Sequence, residues 1–164
     1  MVWRYIVKKI NGIPIQTDQE ILSKVCDPVI NPDIAKKLDL KMRMAMLGGL
    51  KSKAVGLANN QTTLCGGHWR MFAMRSTKHG LITFVNPVIK LSGKKISHTH
   101  GCLSLKKEYK NEWYNEVEIY SDTEFEPWGS RGKFHFTGYE SIVVQHEMDH
   151  LNGILINKKQ KELI

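Results

Sequence analysis

The sequence His-Glu-Met-Asp-His at residues 146–150 places two imidazoles four residues apart with a carboxylate between them. On an α-helix, side chains four residues apart lie on one face, so His146 and His150 could bind one metal ion. Glu147 would then lie beside the ion, where a carboxylate can carry protons to and from a metal-bound water. The pattern predicts a metallohydrolase. The alternative is an ordinary buried helix whose histidines bond to backbone carbonyls.

A catalytic metal site commonly has three protein ligands and one position open to water. The chain continues for fourteen residues after His150, and Glu162 is the only acidic residue among them. We therefore expect the third ligand upstream, and spacing alone does not choose it. The candidates are Cys26, Cys65, Cys102, His68, His79, His98, His100 and His135. The local sequence favours Cys102, which lies in a Gly-Cys turn after a strand-like run.

A helix between Thr137 and Asn152 must carry the paired histidines. Thr137 and Glu140 have the spacing of a capping box, and Asn152 followed by Gly153 predicts the helix end. Helical periodicity predicts two sides. The core side has Val144, Met148, Leu151 and Leu155, and the site side has Ile142, Val143, His146, Glu147 and His150.

The rest of the chain predicts a second helix and several strands. Asp33 can cap a helix that runs through about Ser52, with Leu38, Met42, Ala45 and Met46 on its buried face. Strands are predicted at Trp69 to Arg75, Leu81 to Leu91, Glu116 to Tyr120 and Lys133 to Phe136. We expect an α+β fold in which mainly antiparallel β-sheets wrap around the central helix that bears the motif.

Three segments, in order along the chain, resemble the motifs of peptide deformylases. The first, residues 54–61 (AVGLANNQ), contains glycine and ends in glutamine. The second is the turn at residues 100–104 (HGCLS), and the third is residues 145–151 (QHEMDHL). The similarity extends over nearly the whole chain. It implies a hydrolase that removes the formyl group from the N-terminal methionine of nascent polypeptides and releases formate.

The resemblance implies that Cys102, His146 and His150 bind one divalent metal. In this family the metal is typically ferrous iron, often replaced by zinc, nickel or cobalt in preparations. A thiolate and two neutral imidazoles leave a net charge of about +1, which keeps the ion a Lewis acid and lowers the pKa of its bound water. Glu147 would accept the proton of this water as hydroxide attacks the formyl carbon, and return it to the departing amine.

The resemblance also assigns residues that contact the substrate. The side-chain amide of Gln61 and the backbone N–H of Leu103 would stabilise the negative oxygen of the tetrahedral intermediate. Taken singly, Gln61 would be an exposed loop amide. The residues expected at the substrate are Gly56, Leu57, Gly101, Ile142, Val143 and Tyr139. Several of them would form an apolar pocket for the methionine side chain, with Tyr139 at its rim.

Three positions depart from the family pattern. Ala54 and Asn59 stand where the first motif usually has glycine and alanine, which should alter the cleft wall slightly and preserve catalysis. His100 stands where the family has glutamate, and Trp113 and Tyr114 lie where its arginine partner is expected. We interpret this as an ion pair exchanged for a contact between His100 and an aromatic ring, a change in structural support. The alternative is that His100 contributes to the metal or shifts its acidity.

Length and composition bound the class of protein. The 164 residues are 41% hydrophobic, enough for a single catalytic domain over residues 1–164 with a short basic C-terminal tail. No apolar run reaches membrane-spanning length, and Met1 to Lys9 lacks the features of a signal peptide. Three cysteines, one of them expected on a metal, argue against a disulfide framework. We therefore expect the reducing cytoplasm of a bacterium or of a phage-infected host.

The formal net charge of +8 favours anionic partners. Cations gather on or near the second predicted helix and in the tail: Lys36, Lys37, Lys41, Arg43, Lys51, Lys53, Lys158, Lys159 and Lys161. For an enzyme of nascent chains the expected partner is the ribosome, contacted through RNA phosphates. A solvated basic surface without a partner is the alternative. The short C-terminus resembles phage-encoded or otherwise minimal deformylases, and we expect a monomer.

Two other functional classes share parts of these patterns. A metalloprotease that cuts internal peptide bonds would need only the two histidines and Glu147, but Gln61 and Cys102 stand in the sequence context of deformylases. A basic nucleic-acid-binding module could hold a structural metal. Structural zinc sites, however, are closed by four protein ligands and have no use for a glutamate beside the ion. Three protein ligands with an open fourth position would favour an enzyme.

Overall fold

The computed structural model describes residues 9–47, 54–121, 130 and 132–159. In chain order the elements are β1 (Lys9–Ile10), β2 (Ile13–Pro14), α1 (Gln19–Leu22), α2 (Pro32–Leu47), β3 (Gly56–Ala58), β4 (Met71–Ser76), β5 (Gly80–Val85), β6 (Val88–Gly101), β7 (Glu108–Tyr120), β8 (Lys133–Thr137), α3 (Gly138–Leu151) and α4 (Ile156–Lys159). Two short 3-10 turns, Asn59–Gln61 and Leu64–Gly66, follow β3. None of the helices in these ranges is both long enough and apolar enough to cross a bilayer.

The strands form three antiparallel sheets, in the orders β1-β2, β3-β4-β5 and β6-β7-β8. β6 and β7 make a long hairpin whose pairing runs from Val88 and Tyr120 to Gly101 and Glu108. The motif-bearing helix α3 packs against β3, β4, β7 and β8. The expected α+β fold, with antiparallel sheets around this helix, is confirmed.

The start of α3 is set by Thr137 in an extended conformation, but the predicted capping box is wrong. The Thr137 side chain makes no capping hydrogen bond. The carboxylate of Glu140 instead accepts from the backbone N–H of Thr77 at 2.6 Å and from the Ser76 hydroxyl at 3.2 Å. Because these donors lie in the turn between β4 and β5, Glu140 ties that hairpin to the first turn of the helix.

The end of α3 follows the prediction. Asn152 is the C-cap, and Gly153 has φ of +72°, the left-handed conformation that glycine adopts without strain. The N–H of Gly153 donates to the carbonyl of His150 at 3.1 Å. A side chain at Gly153 would also meet the carbonyl oxygen of Ser23 at 2.5 Å. The left-handed turn at Gly153 therefore ends the helix after Leu151, one residue beyond the second histidine.

Both sides of α3 are buried, and the predicted site side faces a cleft that Ile142, Val143, His146 and Glu147 line. Val144, Met148 and Leu151 are buried in a core cluster with side chains of β4, β5 and β7. Ile142, on the other side, is buried with Trp113 in a second cluster. The helix passes between two sheets, so its polar side chains are buried as well.

The helix α2 begins earlier than predicted. The side chain of Asn31, and not that of Asp33, acts as the cap and accepts from the N–H of Asp33 at 2.7 Å. Pro32 is then the first helical residue, a position that needs no N–H donor. The predicted buried face is confirmed, with Leu38, Met42, Ala45 and Met46 all fully buried. The predicted end at Ser52, and Lys51 and Lys53, lie outside the described residues.

The predicted strand from Leu81 to Leu91 is two strands. Asn86 separates them with φ of +45°, and its side chain bonds to the backbone N–H and carbonyl of Val29 at 2.8 Å each. Asparagine tolerates this conformation, and the distant Val29 holds it in place. The three other predicted strands are present as β4, β7 and β8, although β7 starts eight residues before the predicted Glu116.

Candidate active site

Three metal-binding side chains meet at the centre of the fold. The donor atoms of Cys102, His146 and His150 all lie within 4.8 Å of one another, and all three residues are buried. The sulfur of Cys102 lies 3.2 Å from Nε2 of His150. Cys102 directly follows β6, while the histidines occupy successive turns of α3. Of the eight candidates for a third ligand, Cys102 is the thiol that the fold brings to the histidine pair.

The remaining candidates have other surroundings. The ring of His79 lies 5.1 Å from the Phe134 ring, and His135 pairs with Glu116 at 3.5 Å. Cys26 is buried in the core around α3, where burial raises the pKa of its thiol to about 12. Within the described residues, the cluster at Cys102 is the one group of three such side chains placed to share a metal.

Burial keeps all three donors uncharged when no ion is present. It raises the pKa of the Cys102 thiol to about 12 and lowers the pKa of His150 to about 4. Burial, followed by the nearby His150 and His100, also holds the pKa of His146 well below its ordinary value. Neutral imidazoles are the form that binds a metal, and a divalent cation stabilises the thiolate. One sulfur and two nitrogens fit a divalent transition metal with an open fourth position.

Glu147 lies beside these donors, enclosed by protein. It is 3% exposed, and burial raises the pKa of its carboxyl group to about 8. Among the described residues, its Oε2 has no hydrogen-bond partner. A Cβ atom on Gly56 would overlap the Glu147 carboxylate. Gly56 is therefore needed to leave room for Glu147, in addition to the close substrate approach expected from the sequence.

Gln61 is held rigidly next to Cys102, so the alternative of an exposed loop amide is wrong. Its side chain is 1% exposed. Its Oε1 accepts from the N–H of Ala58 at 3.1 Å, and its Nε2 donates to the hydroxyl of Ser104 at 3.1 Å. The same Nε2 lies 3.5 Å from the Cys102 sulfur. Sequence reasoning gave Ser104 no role, although it is the last residue of the second motif.

A cleft of about 330 Å³ opens over the site. The expected residues that line it are Gly56, Gln61, Gly101, Cys102, Leu103, Tyr139, Ile142, Val143, His146 and Glu147. Ala54 also lines it, as expected, whereas Asn59 is fully buried and does not; the residues not expected there are Val55, His100 and Glu108. Tyr139 is half-exposed, consistent with a place at the rim.

Leu57 is a correction to the expected cleft lining. Its side chain is fully buried in the core with Met42 and Met71 and does not line the cleft. Leu57 is the middle residue of β3, and successive strand residues point to opposite faces. Since Gly56 faces Glu147, Leu57 must face away from the site.

His100 fills the space between the metal-binding group and β7. Its ring lies 5.0 Å from the Trp113 ring, which is the expected contact with an aromatic side chain. Its Nε2 also lies 3.1 Å from Nδ1 of His146. Burial, and then the neighbouring His98 and Lys159, lower the pKa of His100 to about 4. At neutral pH the ring is therefore uncharged.

The family model described as Polypeptide deformylase matches residues 13–163 of this chain. The chain belongs to the polypeptide deformylase family. Peptide deformylase from Pelotomaculum thermopropionicum is 32% identical over 139 residues, which cover 83% of this chain and 81% of that relative. With the Clostridium beijerinckii peptide deformylase the identity is 35% over 77 residues. That alignment covers 46% of this chain and spans about half, 54%, of the relative.

A solved deformylase structure has the same fold. The Met-Ala-Ser-bound crystal structure of class I type b peptide deformylase from Acinetobacter baumannii superposes with a TM-score of 0.74 at 26% identity. The match covers 89% of this chain and 97% of that one. The family suggested by the three motifs is thereby confirmed. Membership in the deformylase family also decides against the metalloprotease and the nucleic-acid-binding module.

Proposed function

We propose that this deformylase-family chain hydrolyses the formamide at the N-terminal methionine of nascent polypeptides and releases formate. The observation that carries the proposal is the convergence, in one cleft, of a three-donor metal-binding group with Glu147 and Gln61. The Acinetobacter baumannii relative was crystallised with Met-Ala-Ser, a peptide that begins with methionine. A formylated peptide of this kind is the substrate that we assign to the cleft.

Cys102, His146 and His150 would hold one divalent metal, with Fe²⁺ as the physiological ion and Zn²⁺, Ni²⁺ or Co²⁺ as substitutes. When bound, such an ion supplies Lewis acidity, which polarises the formyl carbonyl and makes a water more acidic. The thiolate and two imidazoles leave a net positive centre, and the buried surroundings strengthen its field. Cys102 and His146 line the cleft, so an ion held by this group would be accessible to the substrate.

Glu147 would move the proton. Its Oε2 is buried and has no hydrogen-bond partner among the described residues, so it is available to accept a proton from the attacking water. After the carbon–nitrogen bond breaks, the same oxygen can return that proton to the departing amine, and the carboxylate is regenerated. Burial raises the pKa of Glu147 to about 8 in the metal-free protein, and a bound cation would lower it, so this carboxyl group could both accept and return a proton near neutral pH.

Gln61 and Leu103 would stabilise the oxygen that becomes negative. The amide of Gln61 is fixed by Ala58 and Ser104, and its short distance to the Cys102 sulfur shows that Nε2 is directed at the metal-binding group. The backbone N–H of Leu103 follows the metal-binding cysteine directly. A glutamine amide donates without titrating, so it retains this function across the pH range.

The methionine side chain would occupy the apolar part of the cleft. Ile142 and Val143 lie one turn before His146 and line the cleft wall. Val55 lines the same cleft, in place of the expected Leu57. An unbranched thioether chain can follow such a surface closely. Tyr139, half-exposed at the rim, would cover the side chain from solvent.

The decisive experiment measures formate release from formyl-Met-Ala-Ser under anaerobic conditions with Fe²⁺ supplied. We expect rapid turnover by the wild type that is lost on chelation, and a loss of at least roughly 100-fold in Glu147→Ala because proton transfer is removed. Glu112→Gln is a matched control, since Glu112 is exposed on β7 and does not line the cleft. A wild type without formate release, or a Glu147→Ala variant at the wild-type rate, would refute the proposal.

We further infer that the protein acts as a monomer in the cytoplasm, close to the ribosome. Lys36, Lys37 and Lys41 are exposed on α2 and could contact RNA phosphates. The described lysines of the tail make hydrogen bonds within the protein. Lys158 donates to Ser23, and Lys159 bonds to an aspartate of α3, while Lys161 lies outside the described residues. Among the described residues, we propose the exposed Lys37 and Lys41 of α2 for ribosome contact.

A further inference from the structure

The ring of His100 is wedged between a proposed metal ligand and a fully buried aromatic side chain. It contacts His146 at 3.1 Å on one side and Trp113, which is 1% exposed, on the other. We infer that His100 is a positioning residue that accepts a hydrogen bond from Nδ1 of His146 and fixes the ring of that ligand. This inference rests on the metal site of the proposed function.

The two contacting nitrogens determine which atom of His146 faces the ion. Since Nδ1 of His146 is bonded to His100, Nε2 is the nitrogen that remains for the metal. A neutral imidazole that binds a metal through Nε2 carries its hydrogen on Nδ1 and donates it to a neighbour. His100 must then accept through Nε2 and carry its own hydrogen on Nδ1. That Nδ1 is buried and has no partner among the described residues.

The Trp113 ring, against which His100 packs, is itself held by Lys159 and Asp149. The ammonium of Lys159 lies 4.0 Å from the centre of the Trp113 ring, over its face, and bonds to Asp149 at 2.6 Å. Asp149 belongs to α3, the helix that also carries His146. Through Lys159, the stack that His100 and Trp113 form is therefore tied to α3 at the end of the stack farther from His146. This packing restricts rotation of the His100 ring.

A neutral acceptor should affect the ligand differently from a charged one. A carboxylate that accepts from a metal-bound imidazole makes the ring more basic and strengthens the bond to the metal. In the family pattern that this chain resembles, a glutamate stands at position 100. Because His100 accepts through Nε2, that nitrogen carries no proton and the ring is a neutral acceptor; it should orient His146 as a glutamate would, while the site binds the ion less tightly than it would with a carboxylate at this position.

The test measures the affinity of the metal-free protein for Zn²⁺, by competition with a chelating indicator. His100→Phe keeps a ring against Trp113 but cannot accept a hydrogen bond. We expect it to bind Zn²⁺ roughly 10 to 100 times more weakly than the wild type at pH 7.5, with an unchanged melting temperature of the metal-free protein at the same pH. His100→Glu should bind Zn²⁺ more tightly than the wild type. His98→Phe is the matched control, because His98 lies 5.8 Å from His100 on the same strand, and its affinity should be unchanged.

Each outcome bears on the inference. Equal Zn²⁺ affinity of His100→Phe and the wild type would overturn it, and so would an equal loss in His98→Phe. If His100→Phe does not fold, the comparison of His100→Glu with the wild type decides, and weaker binding by the glutamate variant counts against the inference. A wild type that binds Zn²⁺ and releases formate normally, with an unaffected His100→Phe, would refute the positioning role alone. A wild type that binds no metal would overturn the proposed function as well.

Discussion

Individual residues of this site combine a chemical group with a fixed orientation. Gln61 shows this most clearly, because both ends of its amide are bonded while the residue is nearly inaccessible to solvent. A preorganised donor of this kind needs no rearrangement as negative charge develops on the substrate oxygen. Glu147 is similarly enclosed, with Gly56 providing the space for its carboxylate.

We predict that Gln61→Leu lowers kcat for formyl-Met-Ala-Ser by about 100- to 1,000-fold, because one donor to the developing oxyanion is lost. The affinity for Zn²⁺ should fall by a much smaller factor, since Gln61 is not a proposed ligand and its contact with the Cys102 sulfur is long, at 3.5 Å. Steady-state kinetics and indicator competition on the same preparation separate the two effects. A variant that loses metal and activity in parallel would show that Gln61 supports the metal site instead.

The helices and strands were predicted from local sequence periodicity. It placed side chains correctly on the faces of one helix, but it missed contacts between residues that are far apart in the chain. The spacing of His146 and His150 was enough to place both on one face of α3. Leu57 was misplaced because β3 has only three residues, too few to show the alternation that turns Leu57 away from Gly56. Glu140 fits a capping box locally, yet the turn between β4 and β5 offers its carboxylate stronger donors.

The partners of the site residues were beyond the reach of local patterns for the same reason. Ser104 contacts Gln61 from 43 residues away, and His100 contacts His146 from 46 residues away. Resemblance to a family predicted Cys102, His146, His150 and Glu147 as site residues without such information, and the fold brings the three proposed ligands together. The departure from the family pattern at position 100 led to the predicted contact between His100 and an aromatic ring, but not to its contact with His146.

The strand β7 supports the site chiefly through Trp113, which packs against His100. We predict that Trp113→Ala lowers the free energy of unfolding by about 3 to 5 kcal/mol, because a large, fully buried side chain is removed. Turnover with saturating metal should fall by a smaller factor than the folding equilibrium constant, since Trp113 does not line the cleft. Chemical denaturation and formate release are the two measurements. A large rate loss with unchanged stability would make the surroundings of His100 part of the chemistry.

At the scale of the whole molecule, the net charge of +8 is not spread freely over the surface. Arg43 bonds to Asp39 at 2.9 Å and to the carbonyl of Leu81 at 2.7 Å, and so ties α2 to β5. Lys159 covers Trp113. These cations stabilise contacts between elements, so the sequence count overstates the charge available to an anionic partner. The neutral, buried histidines of the site should also make the stability of the molecule depend on pH.

We predict that the metal-free protein loses stability as the pH falls from about 6.5 toward 4.5. Burial lowers the pKa of His146, His150 and His100, so the unfolded chain binds three protons in this range that the folded chain does not. The pKa of Glu147, raised to about 8 by burial, acts in the opposite direction. Its folded form keeps a proton that the unfolded chain releases above about pH 4.5, which offsets one of the three. The net effect is a proton uptake on unfolding.

Thermal unfolding of the metal-free protein between pH 7 and 4.5 measures this effect. Tm should decrease as the pH is lowered. His100→Phe should show a shallower decrease, because one of the three histidines no longer titrates. Saturating Zn²⁺ should raise Tm most at neutral pH, where the ion competes with fewer protons for the imidazoles. A Tm independent of pH in this range would mean that the histidines protonate freely in the folded chain, and the enclosure of α3 between its sheets would then be wrong.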